Sequence, residues 1–187
     1  MAETLRRWRR AEYDRLVDLG MFVGERIELL DGALVVREPQ GSKHAAIVAH
    51  IGQVLGVAFG TGWHPRLHAP LALDDASEPE PDIAIVIGSP LDYVGAHPST
   101  AVLLVEVADS SLRTDRRLKA GLYARTGIAE YWIVNLTDAA LEIHRDPEAG
   151  GYRTILRVTA PATVTPLAAP RVTIPVSDLL PSRRRGT

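Results

Sequence analysis

The chain of 187 residues contains no cysteine. Disulfides, thiolate zinc sites and a cysteine nucleophile are thereby excluded, and a reducing compartment suits the chain. Lysine is almost as scarce: of 21 basic residues only Lys43 and Lys119 are lysines. No apolar run approaches the roughly 20 residues a transmembrane helix needs. The charged stretch from Met1 to Arg10 is not followed by the apolar segment of a secretory signal. The cytoplasm is the expected location, with no membrane partner. The formal net charge is −2, so the molecule as a whole carries no excess of positive charge to attract nucleic acid.

What is present is ordinary for a globular protein: 46% hydrophobic and 24% charged residues. A chain of this length buries roughly 70% of the surface its unfolded form exposes, enough for a core of its own. A single domain over 1–187 is expected, with its core at about 8–180 and a flexible basic tail at 181–187. Positive charge gathers in Arg6 to Arg10, in Arg113 to Lys119 and in Arg183 to Arg185, which as solvated faces would mean little. The two lysines stand out because lysine, unlike arginine, is a compact donor that readily exchanges its proton.

Periodicity predicts a helix from Trp8 to Leu19 with Leu16, Val17 and Leu19 inward, then a hairpin of Arg26 to Leu30 and Ala33 to Arg37. Its turn is Asp31-Gly32, a pair that tolerates positive φ. A second helix carries Ile47, Val48, Ile51, Val54, Leu55 and Ala58 at helical spacing and stops at Gly60 to Gly62. Strands are expected from Arg66 to Leu73, Pro81 to Ile87 and Ala101 to Ala108, the last two apolar on both faces, as in a covered sheet. A third helix from Asp115 to Arg125 ends at Gly127. The strands Tyr131 to Leu136, Leu141 to Arg145 and Tyr152 to Val158 follow, and a strand Val172 to Val176 is expected across the sheet edge. The fold class is α/β, one mixed sheet flanked by helices.

Three residues break this pattern. Glu106 lies in an apolar strand, where an unpaired charge would cost several kcal/mol. It needs a salt bridge, an exit to solvent at the strand end, or a cation. Asp82 opens the Ile83 to Ile87 strand, where an aspartate serves either turn chemistry or a ligand role. If the two strands are neighbours, both carboxylates meet at one sheet edge and make an oxygen-rich site suited to Mg²⁺ or Mn²⁺. Zinc is not expected. Lys119 shares a helical stripe with Asp115 and Tyr123, beside a core-facing stripe of Leu118 and Leu122. It is either half of a surface pair with Asp115 or a cation beside a metal-bound water.

The segments Glu28 to Gly32, Glu80 to Ala84, Leu104 to Val107 with Ser110-Ser111, Asp115-Arg116 with Lys119, Leu122 to Ala124 and Gly127 to Val134 resemble, in order and spacing, the Uma-two family. These are restriction-endonuclease-like proteins of the PD-(D/E)xK superfamily, and the resemblance runs from about Tyr13 to Leu180. It implies a metal-dependent nuclease in which Asp82, Glu106 and the backbone carbonyl of Val107 hold Mg²⁺ or Mn²⁺. The position two residues after Glu106 is Ala108 where the superfamily usually has lysine, and Lys119 on the next helix takes that place. Glu28 would touch metal through water or orient Lys119. His44 fits a family position, with a helix-start residue bonded to backbone as the alternative. Asp115 and Tyr123 are possible accessories. The implied reaction is phosphodiester hydrolysis of DNA leaving a 5′-phosphate and a 3′-hydroxyl, by a homodimer if both strands of a duplex are cut. Two other readings stay open: a catalytically silent nucleic-acid-binding or assembly module, and a hydrolase of a phosphodiester other than DNA.

Overall fold

A computed structural model describes residues 5–109 and 111–181. Ser110 and the basic tail beyond Pro181 lie outside the described residues. In chain order the elements are α1 (Arg10–Asp18), β1 (Arg26–Leu30), β2 (Ala33–Arg37), α2 (Ser42–Phe59), β3 (Trp63–Leu67), β4 (Ile83–Ile87) and β5 (Leu103–Ala108). Next come α3 (Leu112–Thr114), a π-helical turn (Asp115–Lys119), α4 (Ala120–Arg125), β6 (Glu130–Asn135), β7 (Ala140–Glu148) and β8 (Gly151–Val158). The chain closes with β9 (Thr163–Val164), β10 (Ile174–Pro175) and α5 (Val176–Leu179).

Strands β3 to β8 form one mixed sheet in sequence order. All its neighbours are antiparallel except β5 and β6, which are parallel and joined by the helical segment from α3 to α4. Alternation of side chains divides the core into two layers. Ile83, Ile85, Leu103, Val105, Val107, Trp132 and Val134 pack on one face against α2 and the C-terminal β9, β10 and α5. Ala84, Val86, Leu104, Ala108, Tyr131 and Ile133 pack on the other against α4. The strands that read as apolar on both faces are thus the covered centre of the sheet, and the expected mixed α/β architecture is what the chain adopts.

The β1–β2 hairpin has the expected limits, with Asp31 and Gly32 at φ of 51° and 75°. A Cβ on Gly32 would meet the Cβ of Arg7 at 2.8 Å, so glycine is required there by contact as well as by φ.

Four details differ from the periodicity reading. In α1 the buried residue is Tyr13, whose hydroxyl donates to the Ile27 carbonyl, whereas Val17 and Leu19 are exposed. The third strand ends at Leu67 rather than Leu73, since His68 turns to φ 47° and Pro70 follows. The expected strand Val172 to Val176 reduces to Ile174–Pro175, which pairs with β9 rather than with the main sheet. The fourth concerns the helix after β5, which begins at Leu112 and widens into a π turn. The amide of Ala120 reaches the carbonyl of Asp115, five residues back. This extra residue in the turn rotates the stripes: Lys119 is 2% exposed, and Leu118, expected to face the core, is 43% exposed.

Candidate active site

Strands β4 and β5 bring two carboxylates face to face. Ile83 is opposite Val105 and Ala84 opposite Leu104, so the register continued by one residue sets Asp82 across from Glu106. By alternation both lie on the face covered by α4.

Asp82 is buried and fully engaged. Its Oδ2 accepts a hydrogen bond from the Val107 amide at 2.8 Å. Its Oδ1 accepts one from Gln40 Nε2 at 3.1 Å. Around the same oxygen stand His44 Nε2 at 3.2 Å, His68 Nδ1 at 3.5 Å and an Arg37 nitrogen at 3.6 Å. Burial pushes the Asp82 carboxyl up, but the two histidines and the Val107 amide outweigh it and hold the group well below the usual carboxylate range. The N–H and C=O of a strand residue leave on the same side. The Val107 carbonyl therefore also faces the end of β4, where ladder pairing has stopped.

Glu106 is met from the helix. Its Oε1 accepts from Lys119 Nζ at 2.7 Å and from the Tyr123 hydroxyl at 2.9 Å. The π turn places both donors, since Lys119 closes it and Tyr123 lies one turn further on. The turn is pinned by Tyr131, whose hydroxyl donates to the Asp115 carbonyl at 3.3 Å. π-Helical turns of this kind recur at functional sites. Asp115 itself is buried and accepts from Ser111 Oγ at 2.6 Å.

Glu28 enters from β1. Its Oε1 accepts from Arg37 at 3.1 Å and from the Glu80 amide at 2.8 Å, and stands 3.8 Å from Lys119 Nζ. Its Oε2 is buried with no hydrogen-bond partner among the described residues.

Four buried carboxyl groups thus face one lysine and one arginine. Burial, with Asp82 and Asp115 adding to it, pushes the Glu106 carboxyl up against the pull of Lys119. Burial lowers Lys119, yet Glu106 and Glu28 overcome it and the net shift is upward. The Glu106–Lys119 pair therefore keeps its protons to higher pH than either group would in water.

As placed, no three His, Asp or Glu side chains among the described residues converge on a point as metal ligands do. The donor set nevertheless fits a hard cation in kind. It is made of carboxylates and a carbonyl, carries excess negative charge, and includes an orphaned buried oxygen on Glu28. An orphaned oxygen of this sort calls for a water or an ion.

Of the residues singled out by the sequence, Asp82, Glu106, Lys119, Glu28, His44 and Tyr123 converge, with Val107 and Asp115 at the rim of the same cluster. Missed were Arg37, Gln40 and His68. Arg37 and Gln40 lie in or after a hairpin strand with no local signal. His68 is four residues from His64, but only His68 reaches Asp82.

The solved structure of a putative nuclease belonging to DUF820 from Anabaena variabilis resembles this chain with a TM-score of 0.64 and 17% sequence identity, covering 82% of this chain and 88% of the other. At that identity the likeness establishes the fold. Among curated proteins, none matches the chain by sequence. Among the described residues, no helix is long and apolar enough to cross a membrane. A family model named Uma2, described as "Putative restriction endonuclease", matches residues 10–177. The match spans most of the chain and includes every residue of the site above, and the chain belongs to the Uma2 family of restriction-endonuclease-like nucleases.

Proposed function

We propose that the chain is a metal-dependent endonuclease that hydrolyses phosphodiester bonds of DNA at the site built by Asp82, Glu106 and Lys119. The observation that carries this reading is the meeting of two buried carboxylates, Asp82 and Glu106, from adjacent strands at one sheet edge, with a buried lysine paired to Glu106. Burying these charges is costly, which favours a functional reason for keeping them.

Asp82, Glu106 and the Val107 carbonyl would hold Mg²⁺ or Mn²⁺. The bound cation would supply Lewis acidity to the scissile phosphate and acidity to a coordinated water. Lys119 has three N–H donors, of which Glu106 takes one at 2.7 Å. Its remaining donors orient the attacking water and hold negative charge as the transition state forms. Tyr123 fixes the Glu106 carboxylate from the other side. Glu28, 3.8 Å from Lys119 Nζ, steers the ammonium. The water oxygen bonds to phosphorus as the phosphorus–O3′ bond breaks in line, leaving a 5′-phosphate and a 3′-hydroxyl. On a duplex, paired cuts would favour a symmetric dimer of the chain.

A supercoiled-plasmid assay with Mg²⁺, Mn²⁺ or chelator tests the reading on wild type, Asp82→Asn and Lys119→Ala. Metal-dependent nicking lost in both variants is expected. Nicking that both variants retain would refute the site. Absence of nicking, with single-stranded DNA and RNA also uncut, would favour a silent binding module.

A further inference from the structure

Gln40 and His68 reach the site from two loops that the reading above leaves without a task. Gln40 follows β2, and its Nε2 lies 3.1 Å from Asp82 Oδ1 and 3.3 Å from His68 Nδ1. A side-chain amide nitrogen carries two N–H donors, so one amide serves both partners. His68 Nδ1 also stands 3.5 Å from Asp82 Oδ1, so the three groups form one polar cluster. His68 is also held in the left-handed region at φ 47°, a conformation uncommon for residues other than glycine although histidine, like asparagine and aspartate, adopts it more often than most. Its amide donates to the Asp82 carbonyl at 3.2 Å, so the strained residue is tied to Asp82 through both main chain and side chain. Backbone strain of this kind is retained where the surroundings over-determine it, characteristically at functional sites.

We infer that Gln40 and His68 form a bridge that positions the Asp82 carboxylate for its ligand. The Val107 amide fixes Oδ2, and the bridge joins His44 and Arg37 in fixing the rotation that Oδ1 takes. Both are positioning residues, since they act through Asp82. This inference rests on the metal-site reading of Asp82 and Glu106.

Mn²⁺ binding to the full chain, followed by isothermal titration alongside thermal unfolding, separates positioning from plain structure. His68→Gly relieves the left-handed strain, so its Tm should equal or exceed that of wild type while its Mn²⁺ affinity falls about tenfold. Gln40→Ala should lower the affinity by a similar factor. His68→Asn, which tolerates the same φ and keeps an amide at the position, should recover most of it. Wild-type affinity in both His68→Gly and Gln40→Ala, with Asp82→Asn binding none, would overturn the bridge and leave the metal site standing. Affinity that falls only in step with Tm would also overturn it. If wild type and Asp82→Asn alike bind no Mn²⁺, the metal-site reading fails and the bridge fails with it.

Discussion

Glu106 on β5 and Glu130 on β6 are both buried glutamates on neighbouring parallel strands, yet they are satisfied in different ways. Glu130 Oε1 accepts from Trp132 Nε1 at 3.0 Å and from Arg145 Nε at 2.9 Å, while its Oε2 accepts from the Leu167 amide at 2.7 Å. Arg145 in turn donates to the Thr165 carbonyl. This is a closed structural clamp that ties the C-terminal segment to the sheet, built with the planar, permanently charged arginine. Glu106 instead meets a lysine and a tyrosine, both able to exchange protons, and that lysine stands 3.8 Å from Glu28, whose other oxygen has no partner among the described residues. A buried acid that is finished with arginine holds the fold. One that is left with a lysine and an open neighbour is available for chemistry.

The largest expected effects break the comparison directly. Arg145→Met strands the Glu130 carboxylate and should destabilise by about 3–5 kcal/mol, measured by urea unfolding through tryptophan fluorescence, with cleavage per folded molecule unchanged. Lys119→Met should lower cleavage by roughly 100-fold or more with a smaller stability loss, because the Glu106 carboxyl, already pushed up, takes a proton when its partner goes. A Lys119 variant less stable than the Arg145 variant would erase the distinction.

Glu78 supplies a third kind of buried acid, with His97 Nε2 at 4.0 Å as its nearest ion-pair partner among the described residues. Burial, with Asp14 adding, pushes its carboxyl up to about 7 from the ordinary 4.5. The folded-state value lies above the unfolded one, so this contribution to stability is fully present below about pH 4.5 and is lost as pH rises through 7. Between pH 5 and pH 8 the loss should be roughly 2 kcal/mol, and Glu78→Gln should remove that slope in denaturant melts. An unchanged slope in the variant would assign the pH dependence to other groups.

The smallest pair removes one donor from each glutamate. Tyr123→Phe takes one of the two donors on Glu106 Oε1 and should cost about 1 kcal/mol in stability while reducing cleavage several-fold. Trp132→Phe takes one donor from Glu130 and should cost stability alone. Equal effects of both on cleavage would show that the two glutamates are not functionally distinct.

How much of this was legible before the fold was known varies by residue. The hairpin limits, the buried central strands and the anomaly of Glu106 follow from alternation and turn chemistry, which are local. The rarity of lysine marked Lys119, but helical spacing put Leu118 on the core side and Lys119 at its border. The π turn reverses that order, because its hydrogen bond from Ala120 to Asp115 depends on how the helix packs back over β5 and not on the identity of its residues. Arg37, Gln40 and His68 escaped entirely, since each is an ordinary loop or strand residue until two separate segments close on Asp82.

The sequence alone determined the class of the fold, the covered strands and the presence of two carboxylates and a lysine with no apolar reason to be there. It did so because side-chain periodicity and turn propensity act over a few residues. The family resemblance extended that reading to a nuclease site. Tertiary structure alone decided that Asp82 faces Glu106 and that Lys119 is buried against it. It also decided that Gln40 and His68 close around Asp82 Oδ1 and that one Glu28 oxygen stays without a partner. These depend on strand order, register and burial, and burial is what turns an ordinary charge into one that must be answered by a neighbour.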